Sequence, residues 1–445
     1  GQARADLLEK MYGPELIQAF EEFKSIWDPL ELMNPGKIVR PFARNENLRI
    51  GADWSPPEHP VEPDVEFAYP EDSGQFSKVA LRCVGVGKCR HLDKGVMCPS
   101  YMGTMEEIHS TRGRARLLFE MLDGKTLKDG WQSEAVHESL DLCLACKGCK
   151  GDCPVDVDMA TYKGEFNYHY YQQHRRPRAD YALGWIYWWS RAASLAPELV
   201  NAVARTPGVE NLAKRIAGIA PQRELPRFAR HTFRHWYRHR YRPRENAEPV
   251  LLWPDTFNNF LHPEVLIAAT EVLNDAGYRV LVPDRSLCCA RPLYDKGWLD
   301  LARKLLGQIM DTLESEGYRG VPVVGLEPAC VAAFRDELPN LCANDRRARA
   351  ISERSFILSE FLLERDYQPP RLDRRAVVHA HCNHHAILRT EPEKRLLDRT
   401  GLDYRFLENA GCCGMAGSFG FEAEKYDLSL RIGERVLLPA VRETE

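Results

Sequence analysis

The segment Cys143-x-x-Cys146-x-x-Cys149-x-x-x-Cys153-Pro154 places four thiols within eleven residues. Three thiolates at this spacing followed by Cys-Pro are how a chain wraps a 4Fe-4S cubane, with the fourth thiolate reaching a second cluster. Structural zinc usually takes two separated ligand pairs, so the spacing favours iron and sulfide. Upstream stands a partial copy, Cys83-Val84-Gly85-Val86-Gly87-Lys88-Cys89 and then Cys98-Pro99, in which Val86 occupies the slot of the second cysteine. If thiolates are shared crosswise, Cys143, Cys146, Cys149 and Cys98 hold one complete 4Fe-4S cluster. Cys83, Cys89 and Cys153 are then left for the other, and three thiolates suit a 3Fe-4S cluster. Eight residues rather than three separate Cys89 from Cys98, and His91 is an alternative fourth ligand. A second 4Fe-4S cluster, or a single cluster on Cys143, Cys146, Cys149 and Cys153, therefore stays open.

A second series of thiols follows: Leu287-Cys288-Cys289-Ala290-Arg291-Pro292, Glu327-Pro328-Ala329-Cys330, His381-Cys382-Asn383-His384 and Gly411-Cys412-Cys413-Gly414. They lie in a region whose texture is α/β. Val250 to Trp253 reads as strand, Pro263 to Ala276 as helix and Tyr278 to Val282 as strand. The order recurs with Ala376 to His379, Pro392 to Thr400 and Leu402 to Leu407. Gly277 precedes Cys288-Cys289 by 11 residues and Gly401 precedes Cys412-Cys413 by 11, so the landmarks share an offset of 124. This pattern predicts a duplication. The same offset pairs Cys382 with Asn258 and puts the counterpart of Cys330 beyond position 445, so the two halves are expected to share one composite site. A shared cluster, zinc, a redox disulfide and buried inert thiols are all compatible with the residues. His379, His381, His384 and His385 are candidate ligands or proton carriers.

The elements that must position these groups are legible in outline. Leu7, Leu8, Met11, Leu16, Ile17, Phe20 and Phe23 fall at helical spacing and the helix stops at Asp28-Pro29. Residues 45–74, rich in proline and acids, read as a linker. Residues 75–180 read as a small helical cofactor domain, with helices over Ser110 to Leu122 and Gln132 to Leu142. Residues 181–248 form a connector in which Arg223 to Arg244 holds eight arginines and three histidines among Phe228, Phe233, Trp236, Tyr237 and Tyr241. The expectation there is a bridging helix with packed aromatics and solvated or paired arginines, against contact with an anionic membrane surface. Over 445 residues, a net charge of −4 with 28% charged and 44% hydrophobic residues excludes a mainly disordered chain and argues against a nucleic-acid binder. Tyr181 to Val200 is broken by Arg191 and Glu198, so no spanning helix is expected. Cysteines in tight groups fit metal sites in a reducing cytoplasm better than disulfides. An opening without Met or leader, within a helix, reads as a piece of a longer polypeptide.

The order of parts resembles a known family. Val86 in its slot resembles the 3Fe-4S motif of succinate dehydrogenase iron–sulfur subunits. The later cysteines resemble the CCG domains of heterodisulfide reductases, where a complete domain supplies five thiolates to a non-cubane 4Fe-4S cluster. Gly1-Gln2-Ala3-Arg4 through Phe23-Lys24-Ser25-Ile26-Trp27-Asp28-Pro29 and Met33-Asn34-Pro35-Gly36-Lys37-Ile38-Val39 resembles the end of an FAD-linked oxidase C-terminal domain. Together these parts resemble the C-terminal portion of large bacterial FAD-linked D-2-hydroxyacid dehydrogenases, of the D-lactate, glycolate and D-2-hydroxyglutarate type. The resemblance implies an α+β chain: the end of an FAD-linked oxidase cap domain over 1–44, a linker over 45–74, and an all-helical ferredoxin domain over 75–180. An aromatic and Arg-rich connector over 181–248 and duplicated α/β CCG halves over 249–370 and 371–445 complete it. It implies FAD in an N-terminal domain of the same polypeptide, a quinone or protein electron acceptor, a homo-oligomer and no nucleic acid. The expected location is cytoplasmic, with peripheral contact on the inner face of the membrane as a variant. Asn34 and Lys37 are the residues nearest a flavin on this reading, and no residue of the chain is expected to act as catalytic acid or base. The competing readings are an iron–sulfur subunit like that of anaerobic glycerol-3-phosphate dehydrogenase, a heterodisulfide-reductase-like enzyme and a zinc-binding scaffold.

Overall fold

The apolar spacing at the start of the chain becomes two helices, Leu8–Tyr12 and Pro14–Trp27, broken at Gly13, whose φ of 78° ends the first before Pro14 opens the second. The structure, a computed structural model, describes residues 2–46, 65–92, 95–408 and 411–444. The chain divides into two compact units, Gly1–Glu58 and His59–Glu445. In the first, the Asp28 carboxylate ends the helix by accepting the backbone N–H of Leu32 at 2.8 Å and of Met33 at 3.0 Å while pairing with Lys24 at 2.5 Å. Within this unit Met11, Phe23, Ile26 and Trp27 remain exposed.

Most of the expected linker, residues 47–64, lies outside the described residues. The rest of it differs from expectation, because Phe67 and Tyr69 are buried among Phe76, Tyr162 and Phe166. The Glu165 carboxylate accepts the N–H of Glu66 and of Phe67, and Asn340 accepts that of Ala68. Two aromatics at alternate positions outweigh the acidic, proline-rich composition around them, since each removes a large apolar surface from water. The helices that follow start where capping residues stand. Ser110 accepts the N–H of Gly113 at the head of Thr111–Asp123, and Asp158 that of Thr161 at the head of Met159–Tyr170. Glu134–Asp141 falls inside the expected second helix.

The α/β part begins with strand β1 (Pro249–Leu252), and helix Pro263–Asp275 returns the chain to β2 (Arg279–Leu281) beside it. Strands β3 (Val323–Gly325) and β4 (Ser355–Ile357) complete an all-parallel sheet of order β2-β1-β3-β4. Val250, Leu251, Leu252 and Val324 are fully buried, as parallel strands covered on both faces require. The strand order reverses between β1 and β3, and in such sheets the crevice beyond the carboxyl ends at that point is where ligands bind. The second half repeats the first two strands: β5 (Arg375–Val378), helix Glu391–Thr400 and β6 (Asp403–Phe406), with β5 and β6 parallel. The predicted duplication is present over these two strands and the helix between them. Its register is visible in the backbone, since Gly277 and Gly401 both close a helix at positive φ. Ala290 and Gly414, also 124 apart, both follow the Cys-Cys pair in the left-handed region. At Gly414 a Cβ would stand 2.1 Å from the carbonyl oxygen of Ser429, so only glycine fits there.

The connector is not one bridging helix. Only Phe233–Arg240 is helical within the Arg-rich stretch, and its aromatics pack as expected. Tyr237 donates to the carbonyl of Val280 at 2.9 Å, and the Tyr241 hydroxyl accepts the N–H of Val280 at 3.1 Å. Arg234 departs from the solvated reading: it is buried and its guanidinium binds the carbonyls of Pro283, Asp284 and Arg285.

A buried ionic cluster ties the helical region to the first α/β half. Lys147 is 1% exposed, and its ammonium contacts Asp158 at 2.8 Å, Asp336 at 2.7 Å and Glu337 at 3.3 Å. Arg291, which follows Cys288-Cys289-Ala290, pairs with Glu337 and donates to the carbonyl of Ala145 at 2.5 Å. Burial alone would raise the Asp158 pKa, but the ammonium groups of Lys147 and Lys150 hold it well below the usual carboxylate range. Lys147→Met is expected to destabilise the protein by about 3–5 kcal/mol, because the carboxylates it leaves behind are buried without a counter-charge; denaturant unfolding reads the loss. Gly277→Ala, which meets nothing within 4 Å, should cost about 1–2 kcal/mol of left-handed strain. Gly414→Ala should cost clearly more, and equal melting temperatures for the two variants would contradict the close approach.

Candidate functional site

The first cysteine motif folds as a loop followed by a single helical turn, Gly148–Asp152. Ala145 and Lys147 both take positive φ, which turns the loop twice between Cys143 and Cys149. Its carbonyls are caught from two sides: Lys163 donates to Asp141 and Cys143, and Arg291 to Ala145. Cys149 accepts the N–H of Met159 at 3.3 Å, and burial pushes its thiol up to about 12. Burial also pushes the Cys146 thiol up, and Cys412, Cys149 and Cys143 all lie within electrostatic reach of it.

The upstream partial copy and the end of this motif meet around one cavity. It is lined by Cys83, Val86, Cys89 and Cys153, with Met97, Thr111 and Arg112 completing the wall. These are the three thiols left over by crosswise sharing, together with the valine that stands where a cysteine would. His91 is exposed and does not line the cavity. Cys98 is buried between the two sets. Its sulfur lies 2.7 Å from the Thr111 hydroxyl and accepts the Thr111 N–H at 2.9 Å. It shares a hydrogen bond with Cys89, which lowers the Cys89 thiol to about 6, and it lies within electrostatic reach of Cys149.

In the α/β part the thiols stand beyond the carboxyl ends of the strands, on both halves. Asp255 and Thr256 follow β1, Cys288 and Cys289 follow β2, and Glu327 and Cys330 follow β3, so this set occupies the switch-point crevice. Cys330 and Cys289 are 3.0 Å apart, sulfur to sulfur. Although the Cys289 hydrogen bond favours its thiolate, burial pushes Cys330 up to about 11. Asn258, the counterpart of Cys382, is engaged with Asp255 at 2.8 Å. Desolvation raises Asp255 to about 6.

In the second half Cys382 follows β5, and Cys412 and Cys413 follow β6. Cys382 and Cys412 share a small core with Leu144, Phe419, Leu428 and Ile432, against which Cys146 packs. The thiols of the second α/β half thus adjoin the first motif. The two halves also meet, since Val331, next to Cys330, packs against Leu388 of the π-helical turn His384–Leu388. His381 senses the charge of Arg291, although burial is the main reason its pKa falls to about 4. His379 approaches the carbonyl of Gly411 at 3.4 Å and His385 approaches Asp152 at 3.6 Å. His384 is buried with no partner for its Nε2, and Asn383 Oδ1 is likewise unpartnered. Two orphaned polar atoms beside Cys382 fit a site that a further group completes.

Among the described residues no three or more His, Cys, Asp or Glu side chains stand around one point as a single ion would need. The thiols instead line cavities and crevices as separate sets, which suits a multi-iron group that takes one thiolate per iron. Buried thiols with raised pKa values must lose their protons when such a group binds. Lys147, Lys163 and Arg291 were not among the residues singled out from the sequence, although Lys147 and Arg291 sit inside or beside the cysteine motifs. Cys342 was also passed over; it lies apart from the other thiols, near Arg303, Asp345 and Arg347.

Comparison with known proteins gives these sets a context. Residues 79–157 match the 4Fe-4S dicluster domain, 1–38 the C-terminal domain of FAD linked oxidases, and 255–335 and 376–440 the cysteine-rich domain. The D-2-hydroxyglutarate dehydrogenase of Pseudomonas putida is 26% identical across 97% of this chain and 46% of its own length. One component of the anaerobic glycerol-3-phosphate dehydrogenase of Escherichia coli is 29% identical over 53% of this chain and 61% of its own. Lactate utilization protein A of an Exiguobacterium species is 30% identical over 43% of this chain and 84% of its own. No solved structure matches. The chain spans about half the length of the D-2-hydroxyglutarate dehydrogenases it matches. With most of lactate utilization protein A covered at this identity, the chain belongs to that protein's family, and it carries in addition a segment of the FAD linked oxidase type.

Proposed function

We propose that this chain is the iron–sulfur relay of an FAD-dependent D-2-hydroxyacid dehydrogenase, passing electrons from a flavin domain of the same polypeptide to a quinone or another acceptor. The observation that carries the reading is the cavity lined by Cys83, Cys89 and Cys153 with Val86 in its wall, joined through Cys98 to the Cys143–Cys146–Cys149 loop. On this reading Cys143, Cys146, Cys149 and Cys98 hold a 4Fe-4S cluster and the cavity holds a three-iron one. Cys288, Cys289, Cys330, Cys382, Cys412 and Cys413 form a composite site between the α/β halves. When bound, the clusters would supply one-electron transfer, and a flavin in the oxidase domain would supply the two-electron oxidation of the hydroxy acid. The protein's own residues bind and orient. Lys163 and Arg291 hold the loop carbonyls, Lys147 fixes the loop on the first α/β half, and the N–H groups of Thr111, Met159 and Gly414 point at sulfur.

The match of residues 1–38 to an FAD linked oxidase supports a flavin donor, and it separates this reading from a free-standing iron–sulfur protein like that of glycerol-3-phosphate dehydrogenase. The exposed apolar stripe of Met11, Phe23, Ile26 and Trp27 is then a face of that oxidase domain. A thiol reductase of the heterodisulfide type is less well supported, because the first half places three cysteines, Cys288, Cys289 and Cys330, at its crevice rather than five. The substrate is one of D-2-hydroxyglutarate, D-lactate or glycolate, chosen by the flavin domain.

The test is iron, sulfide and zinc analysis of anaerobically purified protein, with electron paramagnetic resonance of oxidised and dithionite-reduced samples. A three-iron signal on oxidation and four-iron signals on reduction are expected. Cys146→Ser should remove the complete cubane, and Val86→Cys should convert the three-iron centre to a four-iron one. The three-iron assignment is falsified if Val86→Cys leaves the spectra unchanged, and zinc without iron would remove the relay altogether.

A further inference from the structure

Two short helices in the connector, Pro197–Ala204 and Val209–Ala217, pack against each other and turn apolar side chains to solvent. Leu195, Leu199 and Val203 follow at intervals of four residues into and along the first, as do Leu212 and Ile216 along the second. Leu195 is 87% exposed, Leu199 65%, Leu212 59% and Ile216 57%, and Trp189 nearby is also exposed. A surface that meets only water rarely gathers so many large apolar groups.

Charge indicates what covers them. From Ile186 to Arg244 there are twelve Lys and Arg, of which Lys214 and Arg234 are buried, against three acids, Glu198, Glu210 and Glu224, in a chain whose net charge is −4. Two of the acids are engaged locally, Glu198 with Arg230 at 3.1 Å and Glu210 with Lys214 at 2.5 Å. Arg191, Arg205 and Arg215 are exposed on the same segments as the leucines. Short amphipathic helices with leucine, valine and isoleucine turned to solvent and exposed arginines on the same segments suit the surface of an anionic bilayer. A second copy of the chain would instead set one basic excess against another.

The surface is also continuous with a thiol set. Where the second helix ends, Ala220 donates to the carbonyl of Phe421 at 2.8 Å and Ala423 to that of Gly218 at 3.0 Å. Arg223 donates to Gly420 at 2.8 Å. Phe419, in the same segment, shares a core with Cys382 and Cys412.

The geometry points to docking of this basic, leucine-bearing surface on an anionic phospholipid bilayer, with Leu195, Leu199, Val203, Leu212 and Ile216 entering the boundary between headgroups and acyl chains. Docking sets the second α/β half beside the membrane, where a lipid-dissolved electron acceptor would be met; that consequence rests on the relay reading, whereas the docking does not. The test is sedimentation of the iron-loaded chain with vesicles of phosphatidylglycerol and phosphatidylcholine, and with vesicles of phosphatidylcholine alone. Binding to the first and not the second is expected, weakening as salt is raised. Leu199→Asp combined with Leu212→Asp should weaken it about tenfold or more, with iron content and circular dichroism unchanged. Arg205→Glu combined with Arg215→Glu should act in the same direction. Equal binding to both vesicles, binding to neither, or binding indifferent to both variants would overturn the proposal. So would a dimer in solution that the leucine variants turn into a monomer, because a second copy would then be the cover. Loss of docking with intact iron signals leaves the relay standing, and vesicle binding by protein without iron leaves the docking standing.

Discussion

The ammonium group of Lys147 is the contact on which the arrangement of thiols depends. It projects from the loop between Cys146 and Cys149 into a pocket of three carboxylates, two of them from the first α/β half. An ammonium taken out of water without partners would cost several kcal/mol, so the loop can sit where it does only if Asp158, Asp336 and Glu337 come with it. Arg291 completes the joint by binding Glu337 and the loop carbonyl of Ala145 together. The first cysteine motif is therefore part of the α/β region's packing as much as of the helical region. Positive charge beside a cluster raises its reduction potential, but here three cationic groups, Lys147, Lys150 and Arg291, face Asp158, Asp336, Glu337 and Asp295. The charges nearly cancel, so the joint acts chiefly on position.

The second α/β half is likewise packed against the helical region. A two-stranded pair such as β5 and β6 is marginal in isolation. It persists because Leu428 and Ile432 of helix Tyr426–Gly433 pack with Leu144 of the cysteine loop and with Cys382 and Cys412. Gly103 sits so close to Leu428 that a Cβ would lie 2.6 Å from its methyl group. The helical region thus supports the second half, and its thiols end up beside Cys146 as a result.

Much of this was legible in the sequence where the signal is local. The offset of 124 and the helical stretch from Ser110 to Leu122 are set by a copied motif or by neighbours a few residues away, and the repeated strand–helix–strand units and the helix Thr111–Asp123 are present. The failures involve partners distant in sequence. Phe67 and Tyr69 read as linker because their neighbours Phe76, Tyr162 and Phe166 are up to 99 residues on. Arg234 read as solvated because the three carbonyls that enclose it belong to the turn after β2. Lys147 drew no notice because nothing in a single sequence distinguishes a lysine in a loop from one that will meet Asp336 across 189 residues.

The positions of the thiols also order them. Cys98 touches Cys89 on one side and lies within electrostatic reach of Cys149 on the other, while Cys146 packs against the core that holds Cys382 and Cys412. On the proposed ligation these contacts make a line from the Cys83–Cys89–Cys153 cavity, through the complete cubane, to the second α/β half. Only the ends of such a line can meet an outside donor or acceptor. The loop from Cys143 to Cys149 is its middle, where Leu144 and the neighbouring Met159 are buried and Lys163 and Arg291 bind the loop carbonyls, so its surroundings are built for fixity. The cavity end is walled in part by the exposed Val84 and Val86. The other end adjoins the segment Ser418–Glu422, which the connector pairs with through Ile219. Exposure is thus visible at the cavity end, through Val84 and Val86, while Cys98 and Cys149 in the middle of the line and Cys382 and Cys412 at its far end are buried.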